Sequence, residues 1–480
     1  MAQSELKSMT IKGLFWGGFS SGARQVISAL LGLVLLNQLT PGDYGLVGML
    51  AIFTGIAGTL QEGGFSSALI NRKEFKHEDF NAVFWFNILM GLAMYIILWF
   101  CAPMIARFYG HPELLKISRV LFLSFVFSSF GISNSAYLSR FLMIRVKARI
   151  DLLNISISGI VAVILAIKGY GYWALVVNTV LYSFVHAVLL IIFTPWHPSF
   201  KINFKPIWNM FGFSFKLVIA SFVGQIQSNI FSVVLGRYYS KQEVGYYSQG
   251  TKWSNMIQGV ISGTVNSVAH PVFARTISEK GRQLLMFRKF LRLSACMVCP
   301  AMLGLAFIAP QLITLINDEF LPSVPVIQFY AIYCISAAVT NIYAQLNIAH
   351  GGSGRNLIIT LINAALQITV AFSVYKYGIN TMALAVSLCN CLIVFLWHYV
   401  AGPLVGMKLR MLLMDVLPYG AISALVMVLT YFLTKPISNV ALLMVAKIII
   451  AVLLYFAALR IFDSTIYKEF KKFIVDNFKK

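Results

Sequence analysis

Residues 81–104 read NAVFWFNILMGLAMYIILWFCAPM, a run of 24 residues without one Asp, Glu, Lys or Arg. A helix of this length rises about 36 Å, which is enough to cross the hydrocarbon core of a bilayer. Similar apolar runs recur along the whole chain, which is 59% hydrophobic and only 11% charged. Soluble domains carry roughly 25% charged residues. The sequence therefore predicts an all-α polytopic membrane protein, because long continuous runs are typical of helices rather than of membrane strands.

The apolar runs and the turn residues between them predict fourteen transmembrane helices. The segment from Thr40 to Asp43 (TPGD) is expected to join the first two, with Asp43 as the N-cap of the second. The predicted limits are 11–36, 46–70, 81–104, 119–138, 152–167, 173–193, 210–235, 244–269, 290–316, 326–348, 356–375, 382–401, 416–432 and 440–459.

The distribution of Lys and Arg predicts the orientation of these helices. One set of alternate loops and tails holds 26 of these residues and the opposite set holds 8. Because cytoplasmic loops are enriched in Lys and Arg, both termini are expected in the cytoplasm. The same rule accounts for the net charge of +22, so no nucleic-acid partner is expected.

An internal repeat appears when the chain is offset by 200 residues. Identical pairs include Gln25 with Gln225 and Gly45 with Gly245, and seven identities fall in 31 aligned positions. A six-helix offset preserves helix direction, which indicates a parallel repeat with a substrate site between the halves. We therefore expect an N-lobe at 1–200 (helices 1–6), a C-lobe at 201–405 (helices 7–12), and two further helices with a basic tail at 406–480.

Ionisable side chains inside predicted helices are costly and usually face a cavity or a partner. Two hypotheses stay open for Arg24 and Glu62: they form a structural ion pair, or Arg24 receives an anionic substrate while Glu62 binds a coupling ion. For Lys216, the alternative to a cavity role is snorkelling to the interface. The candidate residues of a substrate-binding cavity are Arg24, Gln25, Glu62, Lys216, Gln225, Ser228 and Lys252.

Other chemistry is poorly represented in this sequence. Cys296 and Cys299 form a CxxC without a second ligand pair, so a packing role is expected and no metal site. His186 and His398 stand alone in apolar helices and are also expected to pack. No cofactor is expected, and coupling to an H+ or Na+ gradient stays open. With no phosphate-binding loop, nucleophile elbow or large extramembrane loop, the sequence favours a transporter over an enzyme.

Several strings occur in a familiar order: LTPGDYG at 39–45, EGGFSSALI at 62–70, NAVFWFN at 81–87 and GYGYWAL at 169–175. In this order the chain resembles the Wzx-type polysaccharide flippases, the O-antigen, colanic-acid and teichuronic-acid exporters of the multidrug/oligosaccharidyl-lipid/polysaccharide (MOP) superfamily. The resemblance covers most of the first 280 residues.

This resemblance implies two six-helix lobes plus two extra helices, as in MOP and multidrug (MATE) transporters. The implied activity is translocation of undecaprenyl-diphosphate-linked oligosaccharides across the inner membrane by alternating access, for lipopolysaccharide, O-antigen or capsule. Implied partners are this lipid-linked sugar, membrane lipids, a polysaccharide polymerase and assembly proteins. Two alternatives stay open: a multidrug or cation antiporter of the same superfamily, and a flippase of lipid-linked peptidoglycan precursors.

Overall fold

The computed structural model describes residues 22–62, 69, 76–200 and 202–461, and within these ranges the regular structure is helical. Each of the fourteen predicted spans overlaps helical segments of the described chain. The predicted residues 11–21, 63–68 and 70 lie outside the described residues. The prediction of an all-α polytopic membrane protein is therefore confirmed.

The helices between residues 22 and 238 differ widely in length. They are α1 (Gly22–Gln38), α2 (Pro41–Met49), α3 (Ala51–Glu62), α4 (His77–Tyr109), α5 (Glu113–Leu121), α6 (Leu123–Ser129), α7 (Ile132–Arg140), α8 (Ile144–Ile167), α9 (Tyr172–Phe193) and α10 (Lys205–Tyr238).

The helices of the second part are longer and more regular. They are α11 (Lys241–Arg275), α12 (Lys280–Ile316), α13 (Val324–Ala349), α14 (Ser353–Val374), α15 (Ile379–Val405), α16 (Leu409–Thr434) and α17 (Val440–Ile461). A short 3-10 helix (Asp318–Ser323) precedes α13.

The number of helices that cross the membrane is only partly defined by length and composition. Among the described residues, nine helical segments are long and apolar enough to span a bilayer. Two bent pairs, α1 with α2 and the α5–α6 segment with α7, bring the number to eleven if each pair is one span. The count of fourteen therefore stays a prediction.

The TPGD segment begins a helix earlier than the sequence suggested. Thr40 is the N-cap of α2, its hydroxyl accepts from the Asp43 amide, and Asp43 reaches back to the Thr40 amide in a capping box. The prediction of Asp43 as N-cap is wrong, because Pro41 at the first helical position already has the φ that a helix needs. Chain direction changes by 118° between α1 and α2.

The contacts within the chain define two compact units, Met1–Gly245 and Tyr246–Lys480. In the first unit, α10 packs on α3 and α4, and α8 packs along α9. In the second, α12 packs on α13, α16 and α17, and α13 packs on α15. The lobes predicted at 1–200, 201–405 and 406–480 rest on the sequence repeat rather than on contacts, so their boundaries stay a prediction.

Candidate functional site: a charged cluster in the first unit

Helices α8 and α9 form an antiparallel hairpin that places two titratable side chains side by side. The turn between them contains Gly169 and Gly171, whose φ angles of 80° and 54° are positive and favour glycine. Asp151 lies seven residues after the start of α8, and His186 lies seven residues before the end of α9. Both are therefore about 10 Å from the same end of the hairpin. His186 Nε2 is 3.4 Å from Asp151 Oδ1.

Arg24 of α1 completes this cluster. Its Nη1 lies 3.8 Å from Asp151 Oδ2, so one carboxylate faces a guanidinium through one oxygen and an imidazole through the other. The Arg24 side chain is 44% exposed, whereas Asp151 is 15% exposed and His186 is 28% exposed. A long, half-exposed ion pair of this kind stabilises a protein by only about 0–1 kcal/mol. The guanidinium thus remains accessible to a second anion.

The aromatic ring of Tyr182 fixes the imidazole from the other side. Tyr182 precedes His186 by one helical turn, and their rings stack with centroids 5.9 Å apart and planes inclined by 22°. One turn after Asp151, Asn154 is fully buried. The carboxylate, the imidazole and the stacked phenol ring are therefore all held by the two helices of the hairpin. We call Arg24, Asp151, Tyr182 and His186 the charged cluster.

The structure gives Arg24 a partner that the sequence analysis did not name, and the pairing of Arg24 with Glu62 stays a prediction. The ion pair in the described chain joins Arg24 to Asp151, while the side chain of Glu62 lies outside the described residues. Sequence reasoning missed Asp151 because it was counted in a loop, whereas α8 begins at Ile144 and includes it. It also treated His186 as isolated. The sequence did carry one indication that they meet: Asp151 and His186 lie at equal distances from the same end of the hairpin.

The remaining predicted cavity residues are dispersed over several helices. Gln225 of α10 packs its amide against Gly55 of α3, and the Asn229 amide donates to the Gln225 backbone oxygen at 2.9 Å. Gln25 is half-buried on α1, and Ser228 is exposed on α10. The Lys216 side chain lies outside the described residues. Lys252 is half-buried on α11 in the second unit.

A second feature of the first unit is a backbone contact between α2 and the start of α11. A Cβ on Gly45 would overlap the backbone carbonyl oxygen of Lys241, and a Cβ on Gly245 would overlap that of Pro41. The four residues form two pairs at the 200-residue offset of the repeat. Only glycine permits this approach, which we call the reciprocal glycine contact.

Polar bonds surround the reciprocal glycine contact. Lys241 Nζ lies 3.5 Å from Glu113 Oε1, and Asp43 Oδ1 accepts from the Tyr172 amide at 2.9 Å. Arg237 Nη1 donates to the backbone oxygen of Phe108 at 2.6 Å. These bonds join α5 to α11, α2 to α9 and α4 to α10 near the ends of these helices.

An apolar groove in the second unit has a volume of about 730 Å³ and lies along α12 and α17. Lys447 enters it with 6% exposure, donates to Gln311 Oε1 at 3.1 Å, and lies 4.1 Å from the Phe307 ring centroid. Its walls otherwise present apolar groups, including Ile308 and Val452. Such a surface accepts an apolar chain rather than a polar solute.

Apolar helices long enough to span a membrane, with a charged cluster among them, are the architecture expected of a helical membrane transporter. The sequence profile of the polysaccharide biosynthesis protein family matches residues 34–325, more than half of the chain. The chain therefore belongs to this family. Among its relatives, the teichuronic acid biosynthesis protein TuaB of Bacillus subtilis is 24% identical over 345 residues, 71% of either chain.

The lipopolysaccharide biosynthesis protein WzxC of Escherichia coli is 22% identical over 382 residues, 77% of this chain and 73% of that protein. The solved structure of the lipid II flippase MurJ in an inward closed conformation superposes with a TM-score of 0.77 at 18% identity, over 95% of this chain and 99% of that one. The fold is thus that of the MOP transporters, as the resemblance implied. The chain is thus a member of the polysaccharide biosynthesis protein family with the fold of a membrane transporter.

Proposed function

We propose that this protein moves undecaprenyl-diphosphate-linked oligosaccharides from the cytoplasmic to the periplasmic leaflet of the bacterial inner membrane by alternating access, with both termini in the cytoplasm. The observation that carries the proposal is the accessible guanidinium of Arg24 on α1, within the first predicted transmembrane helix. The diphosphate is the costly group to move through hydrocarbon, and a planar guanidinium binds it with paired, charge-assisted hydrogen bonds.

The other parts of the substrate place weaker demands on the protein. Variable sugars need a roomy polar cavity, for which Gln25, Ser228, Glu62, Lys216 and Lys252 are candidates. The prenyl chain stays in the lipid. A polysaccharide polymerase and assembly proteins are the proposed partners, because the flipped repeat unit has to be consumed on the far side.

Two other activities compete with this proposal. A cation antiporter prefers an anionic cavity, whereas the accessible group of the charged cluster is a cation, which disfavours this alternative. A flippase of peptidoglycan precursors would bind the same diphosphate, so the chemistry of Arg24 does not separate it. Restored growth of cells depleted of their lipid II flippase would select that alternative.

The test replaces Arg24 in a strain that lacks its own polysaccharide flippase. Arg24→Ala is expected to yield a folded, membrane-inserted protein that exports little polysaccharide, and Arg24→Lys to recover part of the export because an ammonium keeps the charge without the planar fork. Surface polysaccharide is measured relative to the amount of protein in the membrane. Arg282→Ala is the control, because Arg282 is 64% exposed beside Glu279.

The ion-pair hypothesis predicts a different pattern. If Arg24 serves only to neutralise Asp151, the single variant should lose stability, and the double variant Arg24→Ala with Asp151→Asn should regain both stability and export. If Arg24 binds the diphosphate, the double variant stays inactive although it folds. Near-normal export from a well-expressed Arg24→Ala protein would remove Arg24 from the site.

A further inference from the structure

We propose that Asp151 and His186 form a proton-binding site that controls the affinity of Arg24 for the diphosphate. The inference rests on the proposed function. The two oxygens of one carboxylate face two different basic groups, Arg24 on one side and His186 on the other. When His186 is neutral, Arg24 is the full positive charge that the described part of the chain places next to Asp151.

Proton uptake changes this balance. A proton taken from water onto the His186 ring converts the imidazole into an imidazolium, and its N–H then donates to Asp151 Oδ1. The Coulomb attraction that held Asp151 to Arg24 is now shared with a second cation, so the guanidinium is released toward an incoming anion. The net charge of the three groups rises from zero to plus one, which favours a diphosphate further.

The surroundings of His186 suit a reversible proton site. Histidine is the side chain whose charge ordinarily changes between pH 5 and 8. The Tyr182 ring stacks on the imidazole, and the His186 side chain is 28% exposed, so water can reach it. A sodium ion is disfavoured at this place, because the site offers a ring nitrogen and a neighbouring guanidinium instead of several oxygen ligands.

The other charged groups on the helices packed around the hairpin are engaged elsewhere or exposed. Lys147 donates to the Ser139 hydroxyl and Arg140 to the Leu69 carbonyl, while Arg119 lies over the Trp99 ring. Glu113 pairs with Lys241, and Asp43 accepts from the Tyr172 amide. The exposed groups are Lys116, Arg145, Arg149 and Lys168. Within the described ranges, the groups beside His186 are therefore Asp151 with its partner Arg24, and the stacked Tyr182.

The test measures binding of a short-chain prenyl diphosphate that carries one sugar, using the purified full-length protein in detergent. Each phosphate of this probe keeps a single negative charge over the pH range, so the probe does not titrate. We expect wild-type affinity to rise by roughly fivefold or more as the pH falls from about 8 to about 5.5, the low end of coupling between linked sites. By reciprocity, binding near neutral pH should take up protons, which calorimetry in buffers of different ionisation enthalpy detects.

Two variants are expected to remove the pH dependence with opposite effects on affinity. His186→Gln cannot take up the proton, so it should bind at all pH values with the weak affinity that wild type has at alkaline pH. Asp151→Asn frees Arg24 permanently, so it should bind tightly at all pH values. A structural role for either residue would instead weaken binding in both variants. His197→Gln, which changes an exposed histidine four residues after α9, is the control and should keep the pH dependence.

The outcomes separate this inference from the proposed function. If wild type binds the probe but without pH dependence, or if His186→Gln keeps the wild-type pH dependence, the proton site is wrong while the flippase proposal stands. If wild type does not bind the probe, or Arg24→Ala binds it equally well, both proposals are wrong. Should Asp151→Asn fail to fold, His186→Gln decides the matter alone.

Discussion

Single residues in this protein show how differently a charge behaves when it is buried and when it is exposed. Asp415 of α16 is 1% exposed and accepts from Arg288 Nε at 2.7 Å, from Arg288 Nη2 at 3.0 Å and from Arg292 Nε at 2.6 Å. Glu279 and Arg282 form a pair whose side chains are both more than half exposed. Water screens the charges of Glu279 and Arg282, whereas the buried charge of Asp415 is stabilised by its two arginine partners.

Neutralising Asp415 should therefore be far more damaging than neutralising Glu279. Asp415→Asn leaves two guanidinium groups without their carboxylate and is expected to lower the free energy of unfolding by about 3–5 kcal/mol. Glu279→Gln, the matched control, is expected to change it by less than about 1 kcal/mol. Chemical denaturation of the purified protein in detergent measures both. Equal effects of the two substitutions would contradict the assigned role of Asp415.

His350, between α13 and α14, gives the stability a pH dependence. Burial, followed by the nearby charges of Arg355 and Lys280, lowers its pKa below the ordinary histidine value of 6.5. The unfolded chain then binds the proton more readily, so the stability is fully present above pH 6.5 and is lost as the pH falls through the folded-state pKa.

His350→Gln should reduce the fall in melting temperature between about pH 8 and about pH 5, because glutamine does not titrate. The glutamine amide can still donate to Gln283 Oε1, which His350 Nε2 contacts at 3.0 Å. Thermal unfolding in detergent at the two pH values measures this. An unchanged pH dependence would show that other groups dominate, and the exposed His197→Gln variant supplies the comparison.

The backbones of α2 and α11 approach each other closely at the reciprocal glycine contact. Adding one methyl group at Gly45 forces the start of α11 away from α2, and such overpacking costs about 1–3 kcal/mol. At Gly224 of α10 a Cβ meets no atom within 4 Å, so the same substitution there is tolerated. The two glycines thus differ in surroundings and not in residue type.

Gly45→Ala is expected to separate α2 from α11, whereas Gly224→Ala is not. The separation can be measured by oxidative cross-linking of cysteines placed at Gly42 and Lys241, since a Cβ at position 42 lies 3.5 Å from the Lys241 Cγ. The six native cysteines are replaced first. The cross-linking yield should fall clearly in the Gly45→Ala background. A yield equal to that of Gly224→Ala would show that the contact does not hold these helices together.

The sequence predicts the positions of helices better than it predicts which distant residues contact each other. Apolar runs predict the helices because hydropathy is a local property of the sequence. The 200-residue offset also pairs Gly45 with Gly245, the two glycines of the reciprocal glycine contact. Arg24 stood out because a charge in an apolar run is conspicuous. Its partner Asp151 did not, because it lies near a predicted loop, and the contact depends on the packing of α1 against the hairpin. Long-range pairing of this kind has no local signature.

At the scale of the whole molecule, the predicted orientation in the membrane can be tested at the two ends of α12. Ser278 and Glu319 are both exposed and lie beyond opposite ends of this helix, which is about 55 Å long. The excess of Lys and Arg predicts that the Ser278 end is cytoplasmic and the Glu319 end periplasmic.

A single cysteine at Glu319 is therefore expected to react with an impermeant thiol reagent in intact cells, whereas one at Ser278 should react only after the cells are lysed. A cysteine at Lys147 should behave like the one at Ser278. Labelling is followed by gel shift, in a chain without its native cysteines. Labelling of Ser278→Cys from outside intact cells would reverse the assigned orientation.

The reciprocal glycine contact has the form that a two-fold axis generates, in which one residue meets a second and its counterpart meets the first. In a symmetric dimer of a half-length chain, one glycine position would make both contacts, because each copy would supply the same residue. Fusion into one chain frees the two sides to diverge. Pro41 stands where the other side has Lys241, whose ammonium pairs with Glu113. The backbone contact follows the symmetry of the repeat, while the side chains around it differ between the two sides.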